Sequence, residues 1–550
     1  MLLRENKKMK YKLLFWNVLG AAATFFSVIS FAGPEKGGTF FVKADSDPAT
    51  LNPITSTDGY ASAVQGYVFE TLLTRDDETY GWIPALAEKW EVSKDGTQFT
   101  YHLRSGVKWE DGKPLTAEDV KYSFDVFFEG RFQSPSMMTF LQNIKEVKII
   151  DPLTVQFVTK DVYFKNFDVA SSITIIPKHF YGVGDPKDSK FNKKIIGTGP
   201  YTLDVWEKGR KIILKRKKDY WGNGVDYFKN RYNFDQIFFR PVKEESVGLE
   251  LLKKGDLDFL PLTGEQYMTK TKGDPWGKKI IAVKTENDAS SNYNYAYIGW
   301  NFNHPFFKDR DVRLAMSHLI NREFMNEKFR YNMSELAKGP FGNKSPASSP
   351  KVKVIEYNPK KALELLRKNG WKLVEKGLSK KIDGKDTLFE FTLISANADF
   401  DKYATVIKED MKKVGITMNI KILEWNSFIK LVIDERKFDA ANLAWAVNAL
   451  ESDPKQVWHK ESIPAPGHNF ISYKNDELSD EIDKLRKTMD SKKRLPIYHK
   501  IHEIIAADQP YSFLFNNRFT LYGHNLRIKK QKDTFRYSIG ADTWWIQNKE

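Results

Sequence analysis

The chain has 550 residues, is 29% charged and 41% hydrophobic, and carries a formal net charge of +15 with no cysteine. This length points to more than one domain with cores large enough to need no disulfides. The missing thiol excludes a lipid-modified N-terminal cysteine, a cysteine-ligated metal and a cysteine nucleophile.

The first segment reads as an export signal. Arg4, Lys7, Lys8, Lys10 and Lys12 precede an apolar run from Leu13 to Ile29, followed by Ser30-Phe31-Ala32. A basic stretch, an apolar run and small residues, in that order, predict cleavage after Ala32. The competing membrane-anchor reading is weakened by Asn17, Gly20, Thr24 and Ser27 inside a run near the lower limit for spanning. Removing residues 1–32, with five basic residues and one acid, leaves +11. That excess is spread out. No basic patch joins a stacking platform, so it reads as solubility and not as nucleic-acid binding.

The mature sequence mixes strands and helices. Gly38–Ala44 predicts a strand, and Ala61–Leu73 a helix with Val64, Val68 and Leu72 on one face. Phe99–Leu103 alternates as a strand does. Thr116, with Asp119 three residues on, opens a helix in capping-box order. Val147–Phe157 predicts a hairpin turning at Asp151-Pro152. Strands follow at Ile212–Lys215, Ile237–Arg240 and Tyr295–Asn301, then a helix over Asp311–Arg322. Pro359–Lys368 predicts a helix ended by Asn369-Gly370. Strands Phe389–Ile394 and Met418–Leu423 flank a helix over Tyr403–Val414, with a further strand over Phe438–Trp445. Helices close the pattern at Glu477–Met489 and Arg494–Ala507.

Enzyme motifs are missing. There is no Gly-x-Ser-x-Gly elbow, and Gly197-Thr198-Gly199 lacks the rest of a phosphate loop. His499 and His502 are two ligands at most, too few for a metal site. We therefore expect no catalytic residues, no metal and no cofactor.

One stretch is specific. Ala87-Glu88-Lys89-Trp90, Asp95-Gly96-Thr97, Leu103-Arg104, Gly106-Val107, Trp109, Asp111-Gly112 and Pro114 lead into Thr116-Ala117-Glu118-Asp119-Val120 and Tyr122-Ser123. The Asp-Gly pairs are tight-turn dipeptides, and Trp90 and Trp109 are expected to pack beneath them. Further blocks are Gly197-Thr198-Gly199-Pro200-Tyr201 with Tyr220-Trp221-Gly222, Asp311-Val312-Arg313 with Asn321-Arg322, and Tyr357-Asn358-Pro359 with Leu365-Leu366. Together these resemble the periplasmic solute-binding proteins of dipeptide, oligopeptide and nickel importers, bacterial extracellular solute-binding protein family 5. The likeness spans nearly all of the mature chain.

The resemblance implies an α/β, two-lobe periplasmic-binding-protein fold with a hinge and an extra subdomain in the first lobe. Lobe I would comprise 33–75, 195–297 and 515–550, the subdomain 76–194, and lobe II 298–514. It implies an exported, monomeric, non-enzymatic component of an ABC importer that captures oligopeptides between the lobes and delivers them to permease subunits in the inner membrane. Alternatives are a nickel complex, an oligosaccharide or an opine-like solute in the same fold, or a secreted hydrolase.

Peptide-taking members hold the ligand extended and pair its amine with an acid three residues after a Trp. Here Trp445 matches that Trp, but the acid's place is taken by Asn448. Glu451 or Asp453 can stand in from a longer loop. Equally, Asp453 can simply cap the turn Lys455–His459. Trp425 matches a second cleft Trp, with core packing the alternative. Asn397, Asp399 and Phe400 match a ligand loop, and Tyr60 closes the stretch Thr55–Tyr60 at the cleft edge of the first lobe. Asn442 occupies the place of a basic residue that captures a ligand carboxylate in some members, which weakens a dipeptide assignment.

Overall fold

The computed structural model describes residues 34–547 apart from 45, 57–58, 133, 186–187, 189, 243, 288–292, 448–450 and 465–466. The export signal and its cleavage point, Asn448, and residues 57–58 of the Thr55–Tyr60 stretch therefore lie outside the described residues. Among the described residues no helix is long and apolar enough to cross a membrane.

Two large sheets organise the chain. The first has seven strands, in the spatial order Ile280–Glu286, Phe519–Asn525, Phe259–Pro261, Thr39–Ala44, Gln236–Pro241, Lys211–Arg216 and Tyr201–Glu207. The second has six: Ser334–Leu336, Tyr511–Asn517, Tyr293–Trp300, Ala440–Val447, Glu390–Ser395 and Thr417–Ile422. A four-stranded antiparallel sheet, Ala87–Val92, Gln98–Leu103, Thr154–Thr159 and Ile144–Asp151, stands beside the first. Its core residues Phe99, Tyr101, Val155 and Phe157 belong to the same buried cluster as Phe40, Ile212 and Ile237 of the seven-stranded sheet. The six-stranded sheet is covered on both faces. Trp300, Phe391, Leu393 and Met418 pack on one, and Tyr295, Tyr297, Tyr511 and Phe513 on the other. Alternation along Tyr295–Trp300 follows from the two-residue side-chain period of a strand.

The signature residues hold this architecture. The buried Asp119 carboxylate accepts from Thr116 N–H (3.0 Å), the Trp109 indole (3.3 Å) and Lys178 N–H (2.9 Å). The helix cap is thereby tied to the turn before it and to the segment after the sheet. Gly112 sits at φ +85°, as a tight turn requires. At Gly197 a Cβ would lie 1.8 Å from the Val68 carbonyl oxygen, and Gly199 N–H donates to that oxygen at 2.9 Å. This close approach marks where the first helix ends. It runs Gly59–Val68 and not to Leu73, because Leu73–Arg75 pairs as a strand with Trp82–Pro84. Glu70, just beyond, accepts from Tyr220 O–H and Trp221 N–H, both at 2.7 Å. Burial pushes its carboxyl up, and those two hydrogen bonds oppose the shift.

A second boundary moved. The expected helix Asp311–Arg322 is Arg310–His318 followed by Arg322–Arg330. Asn321 interrupts it, because its side chain caps the new helix by accepting from Phe324 N–H at 3.1 Å.

His502 is fully buried, and its Nδ1 accepts from Ser349 N–H at 2.9 Å. His499 instead meets the Pro346 carbonyl at 2.8 Å, so the two histidines do not share a ligand position. Burial lowers the His502 pKa to about 4. The folded state thus favours neutral imidazole, and its stabilising effect is present above the unfolded pKa near 6.5. It is lost as pH falls from there towards 4, by up to about 3 kcal/mol. Thermal melts of wild type and His502→Gln between pH 7.5 and 4 will show a steeper acid loss in wild type. Parallel curves would refute the assignment.

Candidate functional site

A cavity of about 880 Å3 opens where the two large sheets meet. Its first wall comes from the seven-stranded sheet side: Leu262–Glu265, Phe519 and Leu521. Thr263 starts the helix Gly264–Lys270 with a true capping box, Oγ1 accepting from Gln266 N–H at 3.1 Å and Gln266 Oε1 from Thr263 N–H at 2.9 Å. That box places Gly264 and Glu265 at the rim. The opposite wall comes from the six-stranded sheet and its helices, with Ala296, Arg330, Asn397, Tyr403, Trp425 and Leu443 among its residues.

Four of the residues expected from sequence line this space together: Asn397, Asp399, Phe400 and Trp425. Asn397 shapes its loop by accepting from Asp399 N–H at 2.9 Å. Phe400 stacks on Tyr403 (5.8 Å between centroids, 10°), and Tyr403 meets the edge of Phe329 at 5.1 Å. Trp425 lies parallel to buried Phe428 at 6.0 Å yet remains 54% exposed. It is a ring presented to the cavity and not a core residue.

Among the described residues, Tyr60, Trp445, Glu451 and Asp453 do not line the cavity. Tyr60 lies in the first turn of the helix Gly59–Val68. Trp445 is half-buried, parallel to Tyr297 at 6.4 Å and tilted against His468 at 5.7 Å. Glu451 is engaged by Arg494, and Asp453 by Arg486 and by the Tyr163 hydroxyl at 2.7 Å. The second Asp453 oxygen accepts from Lys455 N–H at 3.0 Å, the cap that the Asp-Pro order suggests. Asn442 does reach the cavity wall, but its amide is used internally: it accepts from Ser395 Oγ at 3.2 Å and donates to the Tyr297 carbonyl at 3.0 Å.

Ionic groups at the cavity come from both walls. Lys402 faces Glu265 across it at 3.7 Å. Arg330 donates to Ser334 Oγ at 2.6 Å and lies over the Phe515 ring at 5.0 Å. These residues were missed in the sequence because the helices Gly264–Lys270 and Arg322–Arg330 that carry Glu265 and Arg330 were not predicted, and Lys402 precedes the predicted helix Tyr403–Val414. The Thr263–Gln266 capping box was a legible signal that went unused.

The strand Ala440–Val447 is paired unequally along its two edges. Along one edge it pairs with Tyr293–Trp300 over its whole length. Along the other, pairing with Glu390–Ser395 runs from Ala440 to Asn442 and stops. From Leu443 onward that edge has no strand neighbour among the described residues. Leu443 and Ala444 border the cavity there.

The family model described as "Bacterial extracellular solute-binding proteins, family 5 Middle" matches residues 81–460. The chain belongs to the bacterial extracellular solute-binding proteins, family 5. The oligopeptide-binding protein AppA of Bacillus subtilis is 29% identical, over 98% of this chain and 99% of that one. The structure of that AppA with a nonapeptide superimposes with a TM-score of 0.76 at 27% identity, covering 94% of this chain and 100% of the other. DppA from Helicobacter pylori in complex with the peptide STSA gives a TM-score of 0.77 at 24% identity, covering 94% and 99%. NikZ from Campylobacter jejuni in complex with Ni(L-His) gives 0.76 at 24%, covering 92% and 99%. These two show the shared fold: two lobes of mixed α/β structure, here built on the seven- and six-stranded sheets.

In this family-5 protein the two tryptophans should part company when truncated. Trp425→Ala removes a largely solvated ring and should change stability by no more than about 0.5 kcal/mol. Trp445→Ala opens a gap between Tyr297 and His468 and should cost about 2 kcal/mol or more. Denaturant titration of both variants measures this directly.

Proposed function

We propose that this protein is the extracytoplasmic peptide-capturing component of an ABC importer, and that the cavity between the two sheets holds an oligopeptide in extended form. The observation that carries the reading is the unpaired edge of Leu443–Val447 beside the cavity. An extended peptide can add there as one more strand, through main-chain hydrogen bonds independent of its sequence. The cavity lies within the roughly 300–1,000 Å3 of sites for small ligands, which suits a short peptide. Trp425, Phe400 and Tyr403 offer apolar and stacking surface for side chains. Asn397 and Asp399 offer polar contacts. The AppA relative, bound to a nonapeptide, supports the same class of solute.

The residues expected from sequence are assigned accordingly. Asn397, Asp399, Phe400 and Trp425 touch the ligand, Trp445 lies along the docking edge, and Tyr60 approaches from the first lobe. The lobes follow the family's divisions of 33–75, 195–297 and 515–550 for lobe I, 76–194 for the subdomain and 298–514 for lobe II, with two bounds shifted: the strands Tyr293–Trp300 and Tyr511–Asn517 belong to the six-stranded sheet, which favours lobe boundaries between Glu286 and Tyr293 and at Arg518. The mature protein, cleaved after Ala32, works as a periplasmic monomer without catalytic step, metal or cofactor. It delivers its peptide uncut to the permease.

Peptide binding to the folded state alone stabilises it by about 2.7 kcal/mol at a hundredfold excess over Kd. Mature protein screened against oligopeptide pools will show raised melting temperatures, and mass spectrometry will recover the peptides intact. Methylating a ligand backbone amide that pairs with the Leu443–Val447 edge should weaken binding about tenfold per blocked donor. Indifference to methylation at every position would rule out strand addition, and recovery of cut peptides would rule out a pure binding role.

A further inference from the structure

The acids closest to the expected amine anchor have another use in this fold. Tyr163 and Phe164 lie between the strand Thr154–Thr159 and the helix Asn166–Ser172, at one end of the four-stranded sheet. Phe164 does not join the core of its own sheet. It is 7% exposed and belongs to the buried cluster under the six-stranded sheet. Its N–H donates to the Arg486 carbonyl at 3.0 Å. The Arg494 guanidinium sits over its ring at 4.6 Å, and that of Arg486 over the Tyr163 ring at 4.0 Å. The Tyr163 hydroxyl donates to Asp453 at 2.7 Å. Asp453 also pairs with Arg486, and Glu451 with Arg494. Tyr498 O–H holds the Ser452 carbonyl between them at 2.7 Å.

We propose that Tyr163 and Phe164 are positioning residues for capture, a clasp by which the subdomain of the first lobe locks onto the second lobe when the cleft is shut. Neither residue lines the cavity, so the effect on ligand is indirect. A ligand held only by the closed form has an apparent Kd equal to its intrinsic Kd divided by the closed fraction. Each contact made only on closure therefore tightens binding and slows release without touching the ligand. The ring of Phe164 supplies the buried apolar part. The Tyr163–Asp453–Arg486 group supplies charge-assisted hydrogen bonds, which are stronger than neutral ones and directional. On this account Asp453 and Glu451 serve closure, and neither pairs with the ligand's amine. Of the residues expected as ligand contacts, these two are reassigned.

The test uses the mature protein and one oligopeptide in two forms, with a free and an acetylated amino terminus. Dissociation rates are measured for wild type, Phe164→Ala, Tyr163→Phe and Asp453→Asn. The clasp requires release to quicken about tenfold in all three variants, equally for both peptide forms, with association rates little changed. A loss in Asp453→Asn confined to the free-amine peptide would make Asp453 a ligand anchor and overturn the proposal. Unchanged release in Tyr163→Phe and Phe164→Ala would overturn it too. Tyr163→Phe keeps the ring and removes only the hydroxyl, so it reports even if Phe164→Ala folds poorly. The affinity arm rests on the peptide reading. Should no peptide bind wild type, that reading falls, and the clasp is judged by small-angle scattering of the ligand-free proteins. A larger radius of gyration in the variants than in wild type sustains it, and identical curves end it.

Discussion

Everything about this molecule's binding geometry depends on two neighbouring strand crossings. The chain leaves the seven-stranded sheet at Glu286 and enters the six-stranded sheet at Tyr293. It returns once, where Tyr511–Asn517 of the second sheet gives way at Arg518 to Phe519–Asn525 of the first. The two crossings stay together. Asn287 N–H donates to the Arg518 carbonyl at 2.7 Å, and Thr520 Oγ1 to Asn287 Oδ1 at 2.6 Å. Lys344 and Arg518 both reach Glu286, at 3.0 and 3.2 Å. A paired ribbon of this kind resists shear between its strands but bends and twists readily. Asn287 and Arg518 stand at its waist, where a hinge between the two sheets would take up its dihedral change. The cavity lies against this ribbon, with Asn517, Phe519 and Ala296 in its wall. Any rotation at the waist therefore changes the separation of the two walls.

The sequence signature that reveals the family has little to do with the ligand. Its residues secure the first lobe, so that the hinge moves one body and not several. Asp119 fastens a helix cap to Trp109 and Lys178. Gly197 and Gly199 admit the Val68 carbonyl at a distance no side chain would allow. Tyr220 and Trp221 close on Glu70. A buried carboxylate is costly without partners. Here two donors stand in for water, and removing either would leave the other side of the knot unsatisfied. The four-stranded sheet shares one apolar core with the seven-stranded sheet.

The contrast between Trp425 and Asp453 shows how far sequence could lead. Strands and helices with clear periodicity were legible, including the hairpin at Asp151 and the left-handed stop at Gly370, φ +90°. The loop Asn397–Phe400 and Trp425 were legible only through resemblance to the family, which left core packing open for Trp425; the structure brings all of them to the cavity. Helix ends at Val68 and His318 were not legible, because they are decided by partners far along the chain, Gly199 in one case, and by the competing cap Asn321 in the other. The roles of Glu451 and Asp453 were illegible for the same reason. Their arginines lie more than thirty residues downstream, on the helix Asp476–Lys487 and the helix Ser491–Asp508. Tyr163 lies further away still, on the other lobe. An acid near a cleft Trp has the same appearance in a sequence whether it meets a ligand or an arginine.

The charge pattern of the cavity argues for breadth of selection. The ion pair Glu265–Lys402, which spans it, leaves both side chains about half exposed, at 57% and 42%. Solvent screens such a pair, so it adds little to closure and yields easily to an incoming ligand. Arg330 is already occupied by Ser334 and the Phe515 ring. Asp399 is a further charge at this wall, on the loop that begins at Asn397. What remains constant is the row of backbone groups along Leu443–Val447, which every peptide can match. Affinity in such a site is governed less by what the guest carries than by how firmly the two lobes hold together around it. The polar contacts from Tyr163 and Phe164 to Asp453 and Arg486 lie outside the cavity. Closure strength and ligand preference can then vary independently, which is what a carrier of many different peptides requires.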